Sequence, residues 1–129
     1  MKHLSIATGI IKHKNKYLIA RRLEPEWLKG MWEFPGGTIE PNETIHQTLV
    51  REIKEETNLD VVAIRDLHSI TEVVKDREIT INFVESKIIG EIDVKLDEHD
   101  EYAWIDSSSW EEYEWTGLTR QYAEILFNK

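Results

Sequence analysis

Three glutamates, Glu52, Glu55 and Glu56, fall within two turns of the segment "REIKEETNL", Arg51 to Leu59. On a helix, residues at i, i+3 and i+4 are neighbours with Cβ atoms about 5–6 Å apart, so these carboxylates share a face and repel one another. At about 100° per residue they border the apolar stripe of Leu49 and Ile53, at the rim of the buried face. Arg51 can pair with Glu55 along the helix, but one guanidinium does not neutralise three carboxylates. A hard divalent cation does. Mg²⁺ takes carboxylate oxygens and water, and substrate phosphates commonly complete its shell. A solvated acidic helix face would carry the same triplet, and the surrounding residues decide between the two.

The context favours the cation. "PGG" at Pro35 to Gly37 is expected to make a tight turn and to bring backbone groups close to a ligand, because glycine removes the Cβ obstacle. Glu43 precedes the helix and reaches the same region. The helix itself is expected over Ile45 to Thr57. Thr44 and Gln47 make a capping-box pair, Ile45, Leu49 and Ile53 recur every four residues, and Asn58 is a left-handed stop.

The elements that must hold this helix follow from pattern. "LSIATGIIK" and "YLIARR" read as strands joined by the polar turn "HKNK". "LEPEWLKGMWEF" reads as a loop broken by Pro25 and Gly30. "VVAIRDLHSITEVV", "KD" and "REITINFVESKII" read as two long strands in a hairpin, and "EYAWID" as a shorter strand. "TGLTRQYAEILF" reads as a closing amphipathic helix with Leu118, Tyr122, Ile125 and Leu126 inward. The expected class is α+β, with a mixed β-sheet between helices. A chain of 129 residues suits one domain, 1–129, with one core.

Composition closes off other functions. The chain has no cysteine, which removes disulfides, thiolate metal sites and cysteine nucleophiles and leans towards a cytoplasmic location. The N-terminal apolar run is broken by Lys12, His13 and Lys14, too short and too alternating for a signal peptide or a membrane span. A net charge of -9 argues against a nucleic-acid polymer as partner. A phosphate-bearing small molecule remains compatible, provided cations bridge the two anions.

Gly37, Glu43, Arg51, Glu52, Ile53, Glu55, Glu56 and Leu59 stand at the spacings G-x5-E-x7-R-E-U-x-E-E-x-G-U, where U is a bulky aliphatic residue. This resembles the Nudix box, with Asn58 in place of the late glycine. The resemblance implies a Nudix-type α/β/α sandwich and a Mg²⁺-dependent hydrolase, with Mn²⁺ as a substitute, that cleaves a nucleoside diphosphate linked to another group. It implies a metal set of the Gly36 backbone, Glu52, Glu55, Glu56 and Glu98, the last lying several residues before Trp104. The implied catalytic groups are Glu55, Glu98, Arg51 and Glu43, with the general base open between Glu55 and Glu98.

"SIATGIIK…YLIARR…WEFPGGTIEPNET" is similar to the MutT-like branch, which converts nucleoside triphosphates to monophosphate and pyrophosphate. That likeness makes Arg22, Phe34, Asp76, Arg77 and Thr119 the nucleotide-binding candidates. Thr119 stands where the purine-oxidation enzyme of the branch reads its base with an asparagine, so both 8-oxo-dGTP and CTP-type pyrimidine triphosphates fit the framework. Trp110 and Trp115 could stack on a base or pack in the core, and His99 could act near Glu98, although a lone loop histidine is more often bland. The alternative is a non-catalytic nucleotide-sensing or base-reading module on the same fold. Monomer and homodimer are both compatible.

Overall fold

The computed structural model describes residues 1–128. Strand β1 (Lys2–His13) turns at Lys14 and Asn15, both at positive φ, into β2 (Lys16–Arg22). Two consecutive positive-φ residues match the right-handed twist of a hairpin. A short 3-10 turn at Glu26–Leu28 leads to β3 (Trp32–Glu33) and β4 (Gly36–Thr38). Helix α1 (Ile45–Thr57) precedes β5 (Asp60–Val74), β6 (Arg77–Ile89) and β7 (His99–Ile105). Helix α2 (Gly117–Phe127) closes the described chain.

The sheet is mixed. Its order is β3-β2-β1-β6-β5, with β4 paired to β1 and β7 to β2. β1 and β6 run parallel from Lys2–Arg77 to Ile11–Ser86, while the β5–β6 and β2–β7 pairs are antiparallel. The period-2 alternation of β1 sends Ala7 and Ile11 to one face and Ile10 to the other. α1 covers the first face with Leu49 and Ile53, and α2 covers the second with Tyr122 and Phe127. Tyr122 stacks on Phe83 with ring centroids 4.2 Å apart. Burial of Leu49 and of Ile53 contributes about 1.5–3 kcal/mol each. Helix α1 approaches closely because Gly9 lies beneath it: a Cβ there would stand 3.1 Å from Ile53 Cδ1 and 3.2 Å from Leu49 Cδ1. The expected α+β sandwich, with a mixed sheet between helices, is what forms.

Helix α1 has the expected bounds and both expected caps. Thr44 and Gln47 form the reciprocal capping box, and Asn58 ends the helix at φ 68°. Three expectations fail. "PGG" does not make a tight turn: neither Gly36 nor Gly37 is at positive φ, and both belong to β4, hydrogen-bonded to β1 at Ala7 and Thr8. Their glycines are demanded by close approach, since a Cβ on Gly36 would collide with the Ala7 carbonyl and one on Gly37 with the Glu52 carboxylate. Second, the loop "LEPEWLKGMWEF" contains β3 and the 3-10 turn. Third, Ile125 is exposed, and Ala123 and Phe127 take the inward positions of α2. Trp110 and Trp115 are core residues; Trp115 Nε1 donates to the Trp110 carbonyl at 2.8 Å.

Candidate active site

A cavity of about 650 Å³ runs past the short strand β4 from the α1 face of the sheet to the α2 face. Its α1 end is acidic, walled by Glu52, Glu55, Glu56 and Glu98. Its other end is apolar, with Leu4, Ile6, Phe34 and Ile81 lining it and Thr119 at the start of α2. Arg22 and the backbone of Gly36 and Gly37 stand between the two. Eight of the expected site residues therefore line one space: Arg22, Phe34, Gly36, Glu52, Glu55, Glu56, Glu98 and Thr119.

Glu43 and Arg51 do not line it, although they are expected among the catalytic groups. They form the scaffold behind the acidic wall. Arg51 Nε and Nη2 donate to the two Glu43 oxygens at 2.7 and 2.8 Å, and Nη1 donates to Glu52 at 2.8 Å and more distantly to Glu55 at 3.4 Å. Thr48 Oγ1 adds a donation to Glu43 at 2.8 Å. The Arg51 guanidinium, with the Thr48 hydroxyl, holds the Glu43 carboxyl down to about 2. The expected Arg51–Glu55 pair is present at 3.4 Å, but Arg51 holds Glu43 and Glu52 more closely.

Asp76 and Arg77 also lie outside the lining, at the β5–β6 turn. Alternation along β6 puts Arg77 on the same face as Ile79 and the cavity residue Ile81, two pleats further out. The adjacent Lys75 ammonium lies over the Trp27 ring at 5.4 Å, and the Trp27 loop supplies Glu24 and Pro25 to the cavity wall. The hairpin tip therefore stands beside the mouth.

Glu56 is the exception among the box glutamates. It is 6% exposed and beyond the reach of Arg51. Burial, then the charges of Glu33 and Glu52, push its carboxyl up to about 9, against an opposing contact from the Gly36 backbone. Glu33, which composition and spacing pass over, and His99, which they weigh as bland, surround it. Glu33, between the buried aromatics Trp32 and Phe34, is a charged residue in a two-residue strand. His99, read as bland, is buried with Nε2 at 3.1 Å from Glu33 and Nδ1 at 3.8 Å from Glu56. The only sequence signal for either is the placing of a carboxylate in an apolar run and of a histidine beside Glu98.

The residues fit a hard divalent cation. All four expected metal carboxylates, Glu52, Glu55, Glu56 and Glu98, face one space, and the buried Glu56 Oε1 has no hydrogen-bond partner. As they stand, no three His, Asp or Glu side chains among the described residues are gathered at ligand spacing. Arg51 draws Glu52 and Glu55 towards itself, while burial and the nearby Glu33 and Glu52 charges raise the Glu56 carboxyl.

The family model described as NUDIX domain matches residues 1–122. An 8-oxo-dGTP diphosphatase of Proteus vulgaris is 43% identical over 84 residues, which is 64% of this chain and 74% of that protein. A CTP pyrophosphohydrolase of Escherichia coli strain K12 is 40% identical over 60 residues, 46% of this chain and 44% of that protein. The match thus spans less than half of the second relative. The solution structure of the E. coli ORF135 protein superposes with a TM-score of 0.85 at 26% identity, covering 99% of this chain and 90% of that one. With the box glutamates Glu52, Glu55 and Glu56 on α1, its acidic wall and a family match that reaches from β1 into α2, the chain belongs to the NUDIX domain family.

Proposed function

We propose that this domain is a Mg²⁺-dependent pyrophosphohydrolase of nucleoside and deoxynucleoside triphosphates, acting on a free nucleotide in the cytoplasm. The observation that carries the proposal is the two-ended cavity: carboxylates at one end and an apolar slot at the other, spaced by Arg22 and the β4 backbone. A nucleotide is likewise an anionic chain joined to a flat, largely apolar base. The names of the two relatives, 8-oxo-dGTP diphosphatase and CTP pyrophosphohydrolase, belong to this chemistry. Water is consumed, one P–O–P bridge is cleaved, and the products are the monophosphate and pyrophosphate.

Glu52, Glu55, Glu56, Glu98 and the Gly36 backbone would hold the metal. When bound, a divalent cation supplies neutralising charge for the diphosphate and acidifies water. Arg51 and Glu43 keep Glu52 in place. Glu55 and Glu98 are the exposed carboxylates of the wall, and either can accept the proton of the attacking water. Arg22 is pinned through Nε and Nη1 to the Glu24 carbonyl and to Glu33, which leaves Nη2 to offer a phosphate. Phe34, fixed by Trp115 and Tyr122, gives the base an immobile apolar wall. Arg77 and Asp76, beside the mouth, would meet the nucleotide as it enters.

The test is product analysis of a panel containing 8-oxo-dGTP, dGTP, CTP and dCTP, with Mg²⁺, with Mn²⁺ and with EDTA. Monophosphate and pyrophosphate should appear only with metal. Nucleotide binding without turnover would instead identify a sensing module.

A further inference from the structure

Strand β7 pairs with β2 in register from Tyr17–Ile105 to Arg21–Glu101 and then skips a residue, so that Arg22 stands opposite His99. A bulge of this kind re-aims the side chains beside it. Asp100, the extra residue, is turned out to Arg21, which grips it through Nε at 2.8 Å and Nη2 at 2.7 Å. His99 is turned in, into the gap between Glu33 and Glu56.

The inward side is a chain of charged and polar groups. Arg22 Nη1 reaches both Glu33 oxygens at 3.0 Å, and Glu33 Oε2 lies 3.1 Å from His99 Nε2. His99 Nδ1 then faces Glu56 Oε1 at 3.8 Å. Among the described residues, these last two are the buried side-chain polar atoms without a hydrogen-bond partner. A buried histidine that only filled space would have both nitrogens satisfied. Here the one unsatisfied nitrogen looks at the one unsatisfied carboxylate oxygen, and a shift of about 1 Å would bring them to hydrogen-bonding distance.

We propose that His99 is a positioning residue for Glu56, aimed by the Arg21-clamped bulge and steadied by Glu33 and Arg22. The adjacent arginines of β2 divide the work: Arg21 fixes where the ring comes from, and Arg22 fixes the carboxylate that holds it. The proposal rests on the reading of Glu56 as a metal carboxylate. Groups that orient such a carboxylate from behind typically change metal affinity by roughly 10–100-fold.

The test is Mn²⁺ alone, titrated into the full chain and followed by the electron paramagnetic resonance of the free ion, with melting temperature as a control for folding. Glu56→Gln should weaken Mn²⁺ binding. His99→Gln extends an amide towards Glu33 but leaves Glu56 unheld, and should weaken binding by roughly 10–100-fold. His99→Asn places its amide near the Nδ1 position and should recover part of that loss, which a merely structural role would not predict. Arg21→Lys keeps the charge but not the two-point grip; lying at the surface, it should also weaken binding in a chain that folds. Wild-type Mn²⁺ affinity in His99→Gln, or in Arg21→Lys should His99→Gln fail to fold, overturns the proposal while a weakened Glu56→Gln leaves the metal site standing. Wild-type affinity in Glu56→Gln removes the metal reading itself, and the proposal with it.

Discussion

Arg51 reaches Glu43, Glu52 and Glu55 and leaves Glu56 to the protein interior, so two box carboxylates respond to pH in opposite directions. Glu43 is held at about 2, below its ordinary 4.5, so the folded state releases its proton more readily than the unfolded chain. Its stabilisation is complete above 4.5 and is lost as pH falls towards 2. Glu43→Gln should remove that part of the acid transition, seen as a flatter melting temperature across this window. Glu56 has the reverse sign. Its carboxyl stays protonated up to about 9, whereas the unfolded chain ionises near 4.5. The folded state binds the extra proton, so metal-free stability should fall as pH rises from 4.5 towards 9. Glu56→Gln should abolish that slope. Melting curves in EDTA decide it: a Glu56→Gln protein whose melting temperature tracks the wild type across the range would show that Glu56 is not the protonated group. A divalent cation, which takes the place of the proton, should stabilise the wild type most at the alkaline end.

Helix α1 positions the acidic wall, and its C-terminal end also holds a second element. Asn58 adopts the left-handed conformation at φ 68°, and its Nδ2 donates to the Asp93 carbonyl at 3.0 Å. The Lys95 amide donates to the Thr57 carbonyl at 3.0 Å. The helix end thus anchors the β6–β7 loop that delivers Asp97 and Glu98 to the cavity. Asn58→Gly removes the side-chain tie but relaxes the backbone, so global stability should stay within about 0.5 kcal/mol. Amide exchange around Asp93 to Lys95 should speed up. Asn58→Val forces a β-branched residue into the left-handed region and should lower stability by about 1–2 kcal/mol. Equal urea midpoints for the two variants would show that this turn is not a helix cap. Such ends are readable in sequence because their signals are local: Thr44 and Gln47 lie three residues apart, and Asn58 acts on its own backbone. The strands β3 and β4 are not readable, being two and three residues long and defined by distant partners. The glycines of "PGG" announce close approach, which sequence cannot tell from a turn. Glu33 and His99 escape for the same reason. What makes them part of the site is long-range pairing: β3 sets Glu33 beside β2, and a bulge between β2 and β7 turns His99 in, a contact across roughly 80 residues of chain that no spacing rule reaches.

For the molecule as a whole, the sheet separates two tasks. Its α1 face carries the acidic end of the cavity and its α2 face the apolar end, and β4 is the crossing point between them. The two ends rest on different core clusters, Leu49 and Ile53 on one side and Phe34, Phe83 and Tyr122 on the other. Distant sites without shared partners behave nearly additively. A change at the acidic end should therefore scale turnover for every nucleotide alike, and a change at the apolar end should reorder nucleotides without touching the metal. Glu55→Gln keeps the shape of α1 and should lower kcat by orders of magnitude across the panel, with the ranking of bases preserved. Thr119 offers a single hydroxyl where an asparagine would offer a donor and an acceptor together. The wild type should accordingly hydrolyse several triphosphates, with a preference for 8-oxo-dGTP well below the ~10⁴-fold that buried hydrogen-bond readout achieves. Thr119→Asn should raise kcat/KM for purines relative to pyrimidines and leave Mn²⁺ affinity unchanged. The measurement is kcat/KM over the full panel for wild type and both variants. A reordered panel in Glu55→Gln, or altered metal affinity in Thr119→Asn, would show that the two ends are coupled through β4 and that base choice and metal binding cannot be assigned to separate faces of the sheet.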